Sequence, residues 1–235
     1  MDNAMKFDSL DFYQEHALRY SDLSHEYTHS VYTDSSQTGL TGDMDLLKRI
    51  VKLAPGRRGL DAGCGAGARD VHLLNSWGYE AYGVDAVDEN VSLAKDLHPE
   101  IADLIQVADL REPLPFDDAS FDFITCNAVI QHLAPETTEQ ITLPELARVL
   151  APDGVLQLMF KVGFGVVTVE DNAYGSQSVA RTFQLYREHR LLKVLKELGC
   201  ALVEGSGKEE LGGLMYFNDL KPMRYCVFWV RKNNS

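Results

Sequence analysis

The chain has 235 residues, 45% of them hydrophobic and 24% charged, with a formal net charge of −13. That is the composition of one globular domain with a full core, and no run approaches the ~20 apolar residues that a membrane span requires, so no membrane partner is expected. The acidic balance, without a Lys/Arg stripe, would repel a phosphate backbone over most of the surface, so no nucleic acid is expected either.

The polar start "MDNAMKFDSLDF" has neither the basic head nor the apolar core of a secretory leader, and a cytoplasmic protein is expected. Residues 1–42 precede the first strand and carry an aromatic-rich amphipathic pattern, "FYQEHALRYSDLSHEYTHSVY". They are expected to form a helical lid hinged through "TDSSQTGLTGD" that closes over a ligand and excludes water. Tyr13 and Tyr20 stand seven apart, on one helical face, where ring faces attract a cation or simply pack the helix on the sheet. His16, His25 and His29 are too scattered to read as metal ligands.

From 43 to 235 a single domain is expected, because strand-like and helix-like patterns alternate throughout. "DMDLLKRIVKL" predicts a helix with Asp43 as N-cap and Met44, Leu47, Ile50 and Val51 at helical spacing, ended by Pro55-Gly56. Then follow strand "RRGLDA", a helix from about Ala68 to Trp77, strand "EAYGVD", helix "DENVSLAKDL", strands "DLIQVAD" and "FDFITCN", helix "LPELARVL" and strand "GVLQLMF". Short β-rich runs separated by helices predict an α/β fold, a doubly wound parallel sheet built from right-handed crossovers.

The glycine-studded stretch from Val162 to Thr182 does not fit this plan and is expected over the sheet's active edge. "FQLYREHRLLKVLKELG" predicts one amphipathic helix with Leu185, Leu192, Leu195 and Leu198 on a face, Gly199 at its C-cap and His189 as a packing residue. Strands "ALVEG" and "RYCVFWVR" finish the chain. Cys64, Cys126, Cys200 and Cys226 are widely separated with no C-x-x-C pair, which reads as free thiols and implies no metal site.

The chemistry centres on "GLDAGCGAGARD". Gly63, Gly65 and Gly67 occupy the first β-to-α turn, where a doubly wound sheet anchors its ligand and where glycine lets main-chain N–H groups approach it. Gly63-x-Gly65-x-x-Ala68 also satisfies the dinucleotide fingerprint, and Asp85, ending the second strand, suits a ribose in either case. Asp61, two residues before Gly63, would repel a pyrophosphate but suits an ammonium group. Asp109, ending the third strand, suits an adenine amine, and no second domain is expected to hold a dehydrogenase substrate.

"LDAGCGAG", "AYGVDAV", "ADLREPLPFDDASFDFITCNAVIQHL" and "LARVLAPDGVLQLMF" resemble the successive motifs of class I S-adenosylmethionine-dependent methyltransferases, in the small-molecule, type 11 branch that includes quinone-biosynthesis enzymes. The resemblance runs from about Asp43 to Phe160. It implies a Rossmann-like, seven-stranded, mostly parallel sheet with an antiparallel last strand, S-adenosylmethionine as cofactor and a small-molecule methyl acceptor. It places the cofactor's methionine part against Asp61, Gly63, Gly65 and Asn127, the ribose on Asp85, and the adenine on Ala86, with Asp109 and the Leu110 amide at its edge. Arg69-Asp70 departs from the pattern and receives no role. His132 in "VIQHL" reads either as a general base near the transferred methyl or as a packing histidine. An NAD(P)-dependent oxidoreductase and a noncatalytic cofactor-binding regulator are the alternatives, and a monomer or homodimer is expected.

Overall fold

A computed structural model describes residues 9–26, 31–171, 179–205, 212–218 and 223–234. Two short helices, α1 (Leu10–Glu15) and α2 (Ala17–Glu26), come first, followed by α3 (Asp43–Leu53). The alternating unit is then β1 (Arg58–Ala62), α4 (Arg69–Ser76), β2 (Glu80–Asp85), α5 (Asp88–Leu97), a 3-10 turn at Pro99–Leu104, β3 (Ile105–Val107) and β4 (Phe121–Asn127). A helical stretch follows as α6 (Pro135–Thr137), a π turn at Thr138–Thr142 and α7 (Leu143–Val149), leading into the long strand β5 (Leu150–Lys161). The rest is β6 (Gly165–Asp171), β7 (Val179–Leu185), α8 (Glu188–Glu197), β8 (Cys200–Leu202), β9 (Leu214–Asn218) and β10 (Arg224–Lys232).

The main sheet runs β3-β2-β1-β4-β5-β10, and the outer edge of β10 is shared by β8 and β9. Strands β1 to β5 pair in parallel and β10 is antiparallel to β5, so the expected reversal of the last strand is present. The expected count of seven is corrected to eight strands in seven positions, because the unforeseen strand "LMYFN" joins β8 on one edge. Where the two meet, Gly213 accepts from the Trp229 amide at 2.9 Å and donates to Val203 at 2.7 Å, and a Cβ there would lie 2.5 Å from the Trp229 carbonyl.

Period-two alternation along the strands splits the core between the two faces. Leu156, Leu158 and Phe160 of β5 point to one side, where Leu146 of α7 and Leu191 and Leu195 of α8 cover them. Val155 and Met159 point to the other, with Phe123 of β4, Trp229 of β10, Ile50 of α3 and Val71 of α4. Covering both faces is why β4 and β5 read as nearly continuous apolar runs.

Three local expectations are corrected. Asp43 is the first residue of α3 rather than its N-cap, and Gly42 holds that position in extended backbone. The amphipathic helix starts only at Glu188: Phe183, Gln184 and Leu185 form β7, paired in a hairpin with β6 through Val167↔Phe183 and Gly165↔Leu185. Helical spacing of leucines extended the prediction backwards into a strand, and only Leu191 and Leu195 of α8 are fully buried. His189 is exposed, not packed, since it projects away from that Leu191/Leu195 face.

Helices α1 and α2 pack over α5. The segment expected to act as a hinge is hydrogen-bonded to β9: Thr33 and Asn218 exchange both amide bonds, at 3.2 and 2.8 Å, and the Ser36 amide donates to Tyr216 at 2.8 Å. No helix among the described residues is long and apolar enough to cross a membrane.

Candidate active site

The parallel strands bring their carboxyl ends to one edge, and the residues that end them line a single cavity of about 540 Å³. Asp61, Gly63, Asp85, Ala86, Asp109, Leu110, Asn127, His132, Tyr13 and Tyr20 all line it. Gly65 alone of the expected set does not: its amide donates to Asp85 Oδ2 at 2.9 Å and the Tyr20 ring covers it.

The turn needs its glycines for stated reasons. Gly63 and Gly65 hold φ of +93° and +66°, the left-handed region that disfavours side chains. A Cβ on Gly63 would lie 2.3 Å from Val129, and one on Gly65 would lie 3.0 Å from the Tyr20 ring. Asp85 ties the turn to the next helix, since its Oδ1 accepts from the Val87 amide at 3.0 Å and from Asn90 Nδ2 at 3.1 Å. Burial raises the Asp85 pKa, and those bonds oppose the rise.

Asp61 is buried and accepts from Thr125 Oγ1 at 2.7 Å. Burial first, and then the neighbouring charge of Asp70, lift its carboxyl above the usual range. Arg69, left without a role by the sequence, bridges Asp70 at 2.7 Å and Asp43 at 3.0 Å and lines the cavity beside them. Asp109 is held by Arg111, whose Nη2 reaches it at 2.6 Å and whose amide reaches it at 2.9 Å. Asn127 Oδ1 accepts from Gln157 Nε2 at 3.0 Å, and Gln157 in turn accepts from Trp229 Nε1 at 2.8 Å, so the core fixes this side chain.

The far end of the cavity holds residues that sequence reasoning did not single out: Lys161, Asp171, Arg181, Phe183 and Tyr225. Lys161 ends β5, the same kind of strand-end position as Asp85 and Asn127, and that placement was a readable signal. Arg181 pairs with Asp171 at 2.7 Å across the β6-β7 hairpin, which nothing in the local sequence pattern announces. Arg181 Nη2 donates to the Tyr13 hydroxyl at 2.6 Å, and that hydroxyl lies 3.1 Å from His132 Nε2. The Tyr13 oxygen accepts from Arg181, and the direction of its bond to Nε2 follows the imidazole tautomer. Nδ1 is buried with no hydrogen-bond partner among the described residues. Burial first, then the charges of Arg181 and Lys161, push the His132 pKa down to about 3.

His16 stacks on Phe12 at 4.4 Å, whereas the His25 side chain and His29 lie outside the described residues. All four cysteines are free thiols. Away from the cavity, His72 and His98 both approach Glu100 Oε1, at 2.8 and 3.5 Å. Their rings are stacked 4.0 Å apart with planes 16° apart, and one ligand atom from each of His72, His98 and Glu100 lies within 4.8 Å of the other two.

Residues 60–158 match the family model described as a methyltransferase domain. The uncharacterized methyltransferase YcgJ of Bacillus subtilis is 31% identical over 126 residues, which is 53% of this chain and 48% of that protein. A TehB-like methyltransferase structure from Corynebacterium glutamicum, 21% identical, covers 94% of this chain and 99% of its own with a TM-score of 0.60. The 1,6-didemethyltoxoflavin-N1-methyltransferase of Burkholderia thailandensis, solved with its substrate and S-adenosylhomocysteine, is 19% identical with a TM-score of 0.57, covering 100% of this chain and 94% of its own. The chain spans between 28% and 48% of the length of the curated relatives it matches. The matched stretch, residues 60–158, contains the glycine turn together with Asp61, Asp85, Asp109, Asn127 and His132.

Proposed function

We propose that the whole protein transfers a methyl group from S-adenosylmethionine to a small-molecule acceptor held in the far half of the cavity. One observation carries the reading: at the edge where strand order reverses, a glycine turn that admits no Cβ at Gly63 faces the buried carboxylate of Asp61 and the half-buried one of Asp85. Those groups fit the cofactor, because carboxylates suit an ammonium and ribose hydroxyls and would repel a pyrophosphate. When bound, the cofactor supplies an electrophilic methyl on a cationic sulfur.

The chain's own residues supply place and surroundings. Asp61 holds the ammonium, and Asp85 takes the ribose while keeping the Gly65 and Val87 amides. Ala86, Leu110 and the Arg111-fixed Asp109 frame the adenine, and Asn127 faces the methionine part. Tyr13 and Tyr20 close the cavity from residues 1–42, acting as a lid. His132, neutral between two cations, positions the acceptor rather than removing its proton. Positioning of this kind supplies much of the rate for a displacement with a good leaving group. The reading is of a cytoplasmic monomer or homodimer, and the acidic balance argues against nucleic acid as a partner.

Calorimetry tests the reading. S-adenosylhomocysteine should bind at micromolar affinity, and Asp85→Asn should weaken it by about 1.5–3 kcal/mol through the lost charge-assisted bonds. Unchanged affinity in the variant removes the ribose role, and tight NADH binding with none for S-adenosylhomocysteine overturns the reading.

A further inference from the structure

Arg69 follows the glycine turn and has no part in the site proposed above. Ala68, just before it, takes left-handed backbone with φ of 37° and ψ of 36°, uncommon for a residue with a Cβ, and Arg69 then opens α4 and lines the cavity with Asp43, Asp61 and Asp70. Asp61 and Asp70 are buried, and acids gathered in one wall suit an ammonium but would repel the carboxylate that an α-amino acid carries beside it. Arg69 is a cation set among them. Its Nε donates to Asp70 Oδ1 at 2.7 Å and its Nη1 to Asp43 Oδ2 at 3.0 Å, while the Tyr32 hydroxyl donates to Asp43 Oδ1. Those bonds fix the plane of the guanidinium and leave Nη2 without a hydrogen-bond partner among the described residues. Burial and the Asp70 charge raise the Asp61 pKa, whereas the Thr125 bond and the Arg69 charge oppose the rise, so the guanidinium stands near enough to act on Asp61.

We infer that Arg69 takes the α-carboxylate of the cofactor through Nη2 and forms, with Asp61, a clamp for a zwitterionic amino-acid end. This rests on the methyltransferase reading and adds to it a residue that selects the ligand. Arginine suits the task because a planar fork already held by two acids still offers donors to a third in a fixed direction, which the point charge of a lysine does not. Its bonds to Asp43 and Asp70 would by themselves make Arg69 a staple between α3 and α4. The two roles part on one property: a staple serves every ligand alike, whereas an anchor serves only those that carry the carboxylate.

Calorimetry on the full chain tests this with S-adenosylhomocysteine and its decarboxylated analogue, which keeps the adenosine, the sulfur and the ammonium. The wild-type protein should bind S-adenosylhomocysteine about tenfold tighter than the analogue, or better. Arg69→Met should abolish that preference by weakening S-adenosylhomocysteine alone, and the analogue should bind as well as before or better, because the acids near its ammonium lose a counter-charge. Arg69→Lys, which keeps the charge but loses the fork, should reduce the preference. Equal binding of the two ligands by the wild type overturns the inference, and so does a folded Arg69→Met that keeps the preference or weakens both ligands alike. Should Arg69→Met fail to fold, Arg69→Lys decides: a reduced preference supports the anchor and an undiminished one overturns it. Failure of both ligands to bind strikes the methyltransferase reading itself, while binding of both without a preference strikes only the role of Arg69.

Discussion

His132 shows how burial decides what a residue can do. An ordinary histidine titrates near 6.5, but this one is enclosed with Arg181 and Lys161 nearby and is pushed down to about 3. Its folded pKa is depressed, so as pH falls below 6.5 the unfolded chain takes up a proton that the folded chain refuses, and stability is lost. Between pH 7 and 5 this one residue should cost about 2 kcal/mol, and His132→Gln should remove that part of the pH dependence. Unfolding curves at the two pH values check the energy, and the imidazole carbon shifts of labelled protein should stay those of the neutral ring at pH 5. A titration near 6.5 would show instead that the chamber is wet. At this scale the sequence was most readable around the carboxyl ends of apolar strands: Asp85 and Asn127 end β2 and β4, Asp61 stands one residue before the end of β1, Asp109 lies two beyond β3 rather than at its end, and all four reach the cavity. Lys161 obeys the same rule and was passed over, while Arg181 owes its place to the hairpin register and was beyond reading.

Elements built on strict periodicity were legible nearly to the residue, as "FDFITCN" and "DENVSLAKDL" show. The failure at Phe183 to Leu185 has a physical origin, because a strand followed directly by an amphipathic helix can keep leucines at helical spacing across the junction. Helices α1 and α2 pose the open dynamic question. Helix α1 has six residues and none fully buried, too short to be stable alone, yet its Tyr13 packs on Tyr20 at 5.4 Å and on His132 at 4.9 Å. We expect amides from Phe12 to Tyr20 to exchange quickly without ligand and to gain protection when S-adenosylhomocysteine is added. Full protection in the ligand-free protein would make these helices ordinary core and remove Tyr13 and Tyr20 from the site. The pinning of Thr33 and Ser36 to β9 leaves any pivot on the N-terminal side of those residues.

For the whole molecule, alternation of strands and helices was enough to foresee a doubly wound parallel sheet, because crossover handedness leaves few other arrangements, whereas the reversal at β10 came from the family resemblance. What was not foreseen was β9, five residues between Gly212-Gly213 and Asp219, recruited by the long edge of β10. Its outer edge is in turn covered by residues 33–37, through the Thr33–Asn218 exchange and through Gln37 Nε2, which donates to the Leu214 carbonyl. An uncovered strand edge is a template for pairing with another chain. Removing residues 1–38 should therefore do more than open the cofactor cavity: the shortened protein should self-associate in a concentration-dependent way on size exclusion, while a chain lacking only residues 1–26 should elute as the full-length protein does. The stretch that joins the N-terminal helices to the sheet is thus also an edge cover, and the self-association test asks whether it shields the protein from its own copies.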